Sequence, residues 1–238
     1  FHLPGASNKT MDIYGEVWVD HQQKIRENVG RQLSPNDVLL VPGDISWADS
    51  ANSLGRDMEF IGSLPCQVVM SEGNHDRWSS KYNTAISVLP PNAKWVQRGC
   101  VRAGNVAIVS TRLWEFEGIY PWPGHVPISG QNGKKIESRE LQRLIAALER
   151  LQKEDGIIRI LMVHFPPLAF DASPGRLTQL INSYKVDYCV YGHVHGMEES
   201  VPAMDAVVGC TRFICASCDW VKMDPVFICE TDQIGTLN

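Results

Sequence analysis

Five short fragments rich in histidine, aspartate or asparagine constrain the fold more than any other feature of this chain. In order they are His2, Gly43-Asp44, Gly73-Asn74-His75-Asp76, His164 and Gly192-His193-Val194-His195. Each lies where an apolar run stops, and the ends of strands point side chains into a cleft at the edge of a sheet. Together the fragments provide enough oxygen and nitrogen atoms for two neighbouring cations, a device that promotes in-line attack on phosphorus.

The apolar pattern predicts an α/β protein. Runs bounded by glycine or proline, as expected for strands covered on both faces, lie at 37–42, 66–70, 157–163 and 186–191. Helical spacing is found at Val17, His21, Ile25 and Val29, at Leu141, Leu144, Ile145 and Leu148, and after Ser173-Pro174 at Leu177, Leu180 and Ile181. Short strands within 94–111 and 206–230, such as 106–109 and 226–229, exceed what one parallel sheet needs. We therefore predict a single domain over residues 1–238.

The charge and the cysteine content limit which binding partners and which cellular compartment are expected for this chain. A net charge of −5 leaves no basic surplus for a phosphate backbone, so nucleic acid is not expected as a partner. No apolar run reaches the length of a membrane span, so no membrane partner is expected. Seven cysteines, several within apolar runs such as 66–70, favour reduced buried thiols and a cytoplasmic location. Cys215 and Cys218 have redox or zinc spacing, but without a second pair we interpret them as unrelated core thiols.

Each fragment alone also fits a purely structural role. Asp44 after a glycine is typical of a turn, Asn74 of a turn cap, and His164 of a satisfied core histidine. His193 and His195, two residues apart, point the same way in an extended chain. The complete ordered set favours a metal centre. Imidazole suits zinc, manganese, iron, nickel and copper alike, so ligand type does not select the metal.

The fragments resemble the motif series of the calcineurin-like metallophosphoesterase superfamily, which runs Asp-x-His, Gly-Asp, Gly-Asn-His-Asp/Glu, His and Gly-His-x-His. The stretches Gly43-Asp-Ile-Ser-Trp47 and Cys218-Asp219-Trp220 are similar to a bacterial-type subgroup of predicted phosphohydrolases. The resemblance covers nearly the whole chain. It implies a four-layer α/β/β/α sandwich with two central mixed β-sheets and a site at their carboxyl edges.

The resemblance also implies two divalent metal ions, which would be manganese, iron, zinc or nickel, with manganese expected first. Its motifs place the ligands of the first ion at His2, Asp44 and His195. They place the ligands of the second ion at Asp44, Asn74, His164 and His193, so that Asp44 bridges the pair. A metal-bridging hydroxide would then attack a phosphate mono- or diester, because coordination lowers the pKa of water.

His75 would protonate the departing alkoxide, since the pKa of an imidazole lies near neutrality. We also predict, independently of the motif, that Asp76 orients His75.

The chain departs from the family pattern at three places. It begins at Phe1-His2 without the first Asp of Asp-x-His, so we expect a preceding strand that ends in Asp. Glu72 stands where protein phosphatases carry a phosphate-gripping arginine, and Trp47 stands where purple acid phosphatases carry an iron-binding tyrosine. Neither the protein phosphatase branch nor a purple tyrosinate–iron(III) site is therefore expected.

The substrate would be a phosphorylated small molecule or a nucleotide. Candidate contacts are Arg77 and Arg112 for phosphate, and Trp114 and His125 beside the cleft, although packing explains each equally well. The long loop over 115–133 is rich in aromatics, proline and glycine, which is typical of functional loops. Two alternatives remain: a non-catalytic scaffold of the same fold, and a metal-dependent nuclease.

Overall fold

The computed structural model describes residues 1–6, 9–80, 82–97, 99–117, 119, 122, 130–151, 156–232 and 237. Within these ranges the α-helices are α1 (His21–Gln32), α2 (Gly55–Gly62), α3 (Tyr82–Ser87), α4 (Gly130–Leu151) and α5 (Arg176–Ser183). The strands are β1 (Val38–Val41), β2 (Gln67–Met70), β3 (Ala93–Trp95), β4 (Cys100–Ala103), β5 (Val106–Thr111), β6 (Ile158–Val163), β7 (Tyr188–Tyr191), β8 (Asp205–Val208) and β9 (Thr211–Cys215). Short 3-10 helices also occur, including Glu16–Trp18 before α1 and Arg77–Ser80 after β2.

The first sheet has three strands in the order β1-β2-β3, and both pairings are parallel. Val41 pairs with Met70, so β1 and β2 end at the same level of the sheet. The Gly43-Asp44 and Gly73-Asn74 segments, which follow these two strands, are therefore neighbours at one edge. We predicted mixed pairing in both sheets, but the described pairings of this one are parallel only.

The second sheet has six strands in the order β4-β5-β6-β7-β9-β8. Its centre, β5-β6-β7-β9, is parallel, and the outer strands β4 and β8 pair antiparallel, so this sheet is mixed as predicted. Thr111 pairs with Val163, and Met162 pairs with Val190. These registers carry Arg112, His164 and the Gly192–His195 segment to one edge of the sheet.

Buried apolar residues cluster on alternate faces of the strands because successive side chains of a strand point to opposite sides. Val68 and Met70 of β2 pack in a cluster with α1 and α2, whereas Val69 packs with Ile108 and Met162 of the second sheet. The opposite face of the second sheet, including Val109, packs with α4 and α5. Residues of both sheets thus share one cluster, while the four-layer order stays a prediction.

The strands predicted at 37–42, 66–70, 157–163 and 186–191 are confirmed as β1, β2, β6 and β7. The strand predicted at 226–229 is wrong, because these residues follow Pro225 as irregular chain and two of them are exposed, Val226 at 42% and Phe227 at 72%. The predicted loop over 115–133 ends earlier, since α4 begins at Gly130. No helix among the described residues combines the length and apolar character needed to cross a bilayer.

Candidate metal centre

Asp44 lies at the centre of the predicted ligands, in the turn that follows β1. The side chain is buried, and its Oδ1 accepts the backbone N–H of His75 at 2.9 Å. Its Oδ2 lies 3.7 Å from His2 Nε2 and 3.3 Å from His164 Nε2. One carboxylate oxygen of Asp44 therefore faces imidazoles on two sides, which is the arrangement that a bridging ligand requires.

His2 and His195 form the first side of the cluster. Their Nε2 atoms are 3.2 Å apart. His2 is fixed through its backbone, since its N–H donates to the carbonyl of Asp44 at 2.8 Å and the next residue, Leu3, forms a parallel bridge with Ser46. The first segment of the chain is thus held beside the Asp44 turn.

Asn74, His164 and His193 form the second side. The Asn74 Oδ1 lies 2.7 Å from His164 Nε2 and 3.1 Å from His193 Nδ1. The same two histidine nitrogens are 3.2 Å apart. Ligand atoms of Asp44, His164 and His193 all lie within 4.8 Å of one another, which places this side within reach of a single ion.

Hydrogen bonds outside the cluster fix which nitrogen of two imidazoles faces inward. His164 Nδ1 lies 3.0 Å from the carbonyl of Pro42, and a carbonyl only accepts, so Nδ1 carries the proton. The Nε2 lone pair of His164 is then directed at Asp44 and Asn74. His195 Nδ1 lies 2.7 Å from a carboxylate oxygen of Asp219, which fixes its tautomer in the same way.

Burial and mutual charge set the protonation of the cluster. Burial lowers the pKa of His2 well below its usual range and also lowers the pKa of His75. Burial alone would raise the pKa of Asp44, but the charge and hydrogen bond of His164, followed by the charge of His2, hold it well below its usual range. Burial alone would lower the pKa of His164, but Asp44 and the Pro42 carbonyl raise it instead. Asp44 is therefore ionised and His2 neutral near pH 7.

His75 lies beside the cluster. Its ring packs on Trp47 with 4.0 Å between ring centroids, and its centroid is 5.7 Å from that of His2. Asp76 does not bond to this ring. Its buried carboxylate accepts from four donors, which are the backbone N–H groups of Ile45, Ser46 and Gly73 and the indole N–H of Trp78. Asp76 therefore ties the Asp44 turn to the Asn74 turn.

The donor set fits divalent cations. Buried imidazole nitrogens and carboxylate and amide oxygens face one another at 2.7–3.7 Å, and a cation converts this unfavourable convergence of lone pairs into coordination. A cavity of about 50 Å³ is lined by five of the predicted ligands, His2, Asp44, His164, His193 and His195. The larger, mostly apolar cavity of about 600 Å³ lies between β1 and the second sheet and is not lined by any of the six. Donor chemistry, not cavity size, identifies the site.

The family model for calcineurin-like phosphoesterases matches residues 5–197. The chain belongs to that family. Members of this family use divalent metals, which agrees with the donor set around Asp44.

Two similar proteins illustrate how far the likeness of the chain to known proteins extends. It is 26% identical over 180 residues to "Purple acid phosphatase 21" of Arabidopsis thaliana, an alignment that covers 70% of this chain and 39% of that protein. The chain therefore spans about two fifths of the length of this relative. A crystal structure of a protein of unknown function from Aquifex aeolicus superposes with a TM-score of 0.45 at 14% identity, covering 94% of this chain and 92% of that one.

The residues predicted to contact substrate differ in their placement. Arg112 lies at the edge of the second sheet, where its carbonyl accepts the N–H of His164 at 3.1 Å. Its guanidinium lies over the ring of Trp114 at 5.2 Å. Arg77 has a mostly exposed side chain that pairs with Asp49 at 3.8 Å. His125 lies outside the described residues.

Glu72, which would repel phosphate if it were unpaired, has two partners. Its Oε1 lies 3.7 Å from Arg112 Nη1, and its Oε2 accepts from the Gln97 amide at 2.7 Å. Sequence reasoning missed Gln97, and it also missed Trp18, whose ring packs edge-on against His2 and His195 at 5.8 and 5.3 Å. No local motif marks either residue, because each reaches the site through the fold.

Proposed function

We propose that the chain hydrolyses phosphate mono- or diesters at a dinuclear metal centre. The observation that carries the proposal is the position of Asp44 Oδ2, 3.7 Å from His2 Nε2 on one side and 3.3 Å from His164 Nε2 on the other. His2, Asp44 and His195 would hold one ion, and Asp44, Asn74, His164 and His193 would hold the other. Bound ions of this kind supply an activated water and neutralise the charge of the phosphoryl group.

The chain's own residues would then position the substrate and move a proton. His75 is half-buried beside the ligands, and its ring is steadied by Trp47, so it is placed to give a proton to the leaving oxygen. Arg112 lies at the same edge and would bind a phosphate oxygen. Pairing of Glu72 with Arg112 and Gln97 reduces the repulsion that its carboxylate exerts on phosphate.

The test is hydrolysis of p-nitrophenyl phosphate, phenyl phosphate and bis-p-nitrophenyl phosphate with added Mn²⁺. Asp44→Asn should remove activity on all three, whereas Asp49→Asn, the same change on a side chain that is 86% exposed, should not. His75→Ala should lower kcat by roughly 10²–10⁴ on phenyl phosphate and by less on p-nitrophenyl phosphate. The nitrophenolate leaves readily without a proton, so the difference between the two esters isolates the role of a general acid.

The same samples separate the alternative functions. No hydrolysis of the esters or of a nucleotide panel would end the proposal. Because a scaffold need not bind metal, fewer than two ions per chain in that case would favour the scaffold. A nuclease would nick plasmid DNA at a rate that Asp44→Asn abolishes. The net charge of −5 favours small phosphoesters instead.

We further infer a reducing, cytoplasmic location. None of the seven cysteines, all of which the structure describes, forms a disulfide, and Cys66, Cys189 and Cys215 are buried. Burial raises the pKa of Cys66 to about 11 and that of Cys215 to about 12, which keeps both as unreactive thiols. Free buried thiols without disulfides are typical of cytosolic proteins.

A further inference from the structure

Asp219 is a buried carboxylate that forms hydrogen bonds to the segment carrying the predicted ligand His195. Its side chain is only 8% exposed. One oxygen lies 2.7 Å from His195 Nδ1, and the other accepts the backbone N–H of Gly196 at 2.7 Å. Both oxygens of Asp219 are therefore committed to two consecutive residues of the loop after β7.

His195 depends on its carboxylate partner more than His164 depends on the carbonyl of Pro42. The His164 side chain is 1% exposed and follows directly from β6, whereas the His195 side chain is 33% exposed and sits on a loop beyond the end of β7. An exposed imidazole on a loop samples several rotamers and both tautomers unless a partner fixes it. Asp219 is the partner that the structure provides.

The segment that carries Asp219 is itself well ordered by hydrogen bonds. The Val221 N–H donates to Ser217 at 3.0 Å, and the Met223 N–H donates to Cys218 at 2.7 Å. The Asn28 amide of α1 then donates to the carbonyl of Met223 at 3.2 Å. The carboxylate is thus presented from a turn after β9 that is tied to the first helix.

We propose that Asp219 is a positioning residue that holds His195 with Nδ1 protonated and Nε2 directed at the ion position shared with His2. The inference rests on the proposed metal centre. The hydrogen bond fixes the ring and its tautomer, and the nearby negative charge makes Nε2 a stronger donor to a cation. The side-chain hydrogen bonds of Asp219 go to His195 and Gly196, so its effect is expected at the ion position that His195 would share with His2.

The experiment is calorimetric titration of Mn²⁺ into the metal-stripped protein, with bound metal counted by elemental analysis. Asp219→Asn should weaken one of two binding events by about 10–100-fold and leave the other unchanged. Asp219→Glu, which keeps a carboxylate, should recover part of the loss. The control is Asp224→Asn, a carboxylate of the same segment that pairs with Arg31 at the surface, and it should bind as the parent does.

A folded Asp219→Asn protein that binds both ions with parental affinity would overturn the proposal, and so would a lower melting temperature without any loss of affinity. If the variant does not fold, long-range ¹H–¹⁵N spectra of the parent protein test the proposal instead, because they report the tautomer of His195. They must show His195 protonated at Nδ1, and the opposite tautomer refutes the inference. A parent that binds two ions but hydrolyses no phosphoester would sink the proposed activity and leave the role of Asp219 standing.

Discussion

Gly73→Ala should destabilise the protein and disable metal binding together. An ideal Cβ at Gly73 would lie 2.1 Å from Asp44 Oδ1 and 2.2 Å from the Asp44 backbone nitrogen. Both distances are about 1 Å shorter than a van der Waals contact, and the backbone nitrogen cannot rotate away as the end of a long side chain can. The methyl group therefore displaces the Asp44 carboxylate, which we propose as the ligand shared by both ions.

The size of the effect follows from this overlap. Overpacking of a dense region costs typically about 1–3 kcal/mol. In a protein of this length, each kcal/mol lowers the melting temperature by roughly 2–4 °C, so we expect a decrease of about 2–12 °C. Metal ligands tolerate a misplacement of only about 0.5 Å, so Mn²⁺ affinity should fall at both positions.

The assay is thermal unfolding in EDTA, followed by calorimetric titration with Mn²⁺. Gly30→Ala provides the matched control, because the same methyl group placed in the interior of α1 meets no atom within 4 Å. Alanine is the better helix former, so Gly30→Ala should stabilise the protein by about 0.5–1 kcal/mol and leave metal binding unchanged. A Gly73→Ala protein that melts with the parent and binds two ions would refute the placement of Asp44.

Three further predictions test other contacts. Asp76→Ala removes the acceptor of four donors, so it should lower the free energy of unfolding, measured by urea denaturation, by about 3 kcal/mol or more. Asp49→Ala, the same change at the surface, should alter this free energy by less than about 0.5 kcal/mol. Asp44 raises the pKa of His164, so metal binding near pH 6.5 should release protons, and the affinity for Mn²⁺ should fall at lower pH. Equal heats of Mn²⁺ binding in buffers of different ionisation enthalpy would contradict this prediction. Among the cysteines, the exposed Cys210 should react with a thiol reagent in the native protein, whereas three buried thiols should react only after unfolding.

The sequence predicted the strands that position the site because each of them stops at a strong local signal. Pro42 and Gly43 end β1, and Gly192 follows β7, so the apolar runs had clear limits. The ends of parallel strands meet at one edge, and this made the convergence of the ligands predictable from their order. The structure brings the six predicted ligands together: five follow the ends of β1, β2, β6 and β7, and His2 is held beside them by its backbone bond to Asp44.

The surroundings of the ligands were less predictable because they depend on distant contacts. Asp219 is separated from His195 by 24 positions, and the carbonyl of Pro42 is separated from His164 by 122, so no spacing rule relates them. Adjacency suggested that Asp76 serves His75, but its carboxylate points instead to donors 30 and 31 positions earlier. At 226–229 the apolar composition was correct, and Ile228 and Cys229 do pack against the sheets, but these residues form no ladder with a described strand.

Three of the predicted ligands adopt positive φ angles, His2 at 52°, Asp44 at 51° and His193 at 73°. Side chains other than glycine avoid this region at a cost of about 1–3 kcal/mol each, so the remainder of the fold must offset the strain. Glycine at any of these positions would relax the backbone and delete a ligand in the same step. A glycine at one of these three positions would raise stability but remove a side chain that we propose as a metal ligand. Substitutions that increase thermal stability without loss of metal binding are therefore expected elsewhere in the chain.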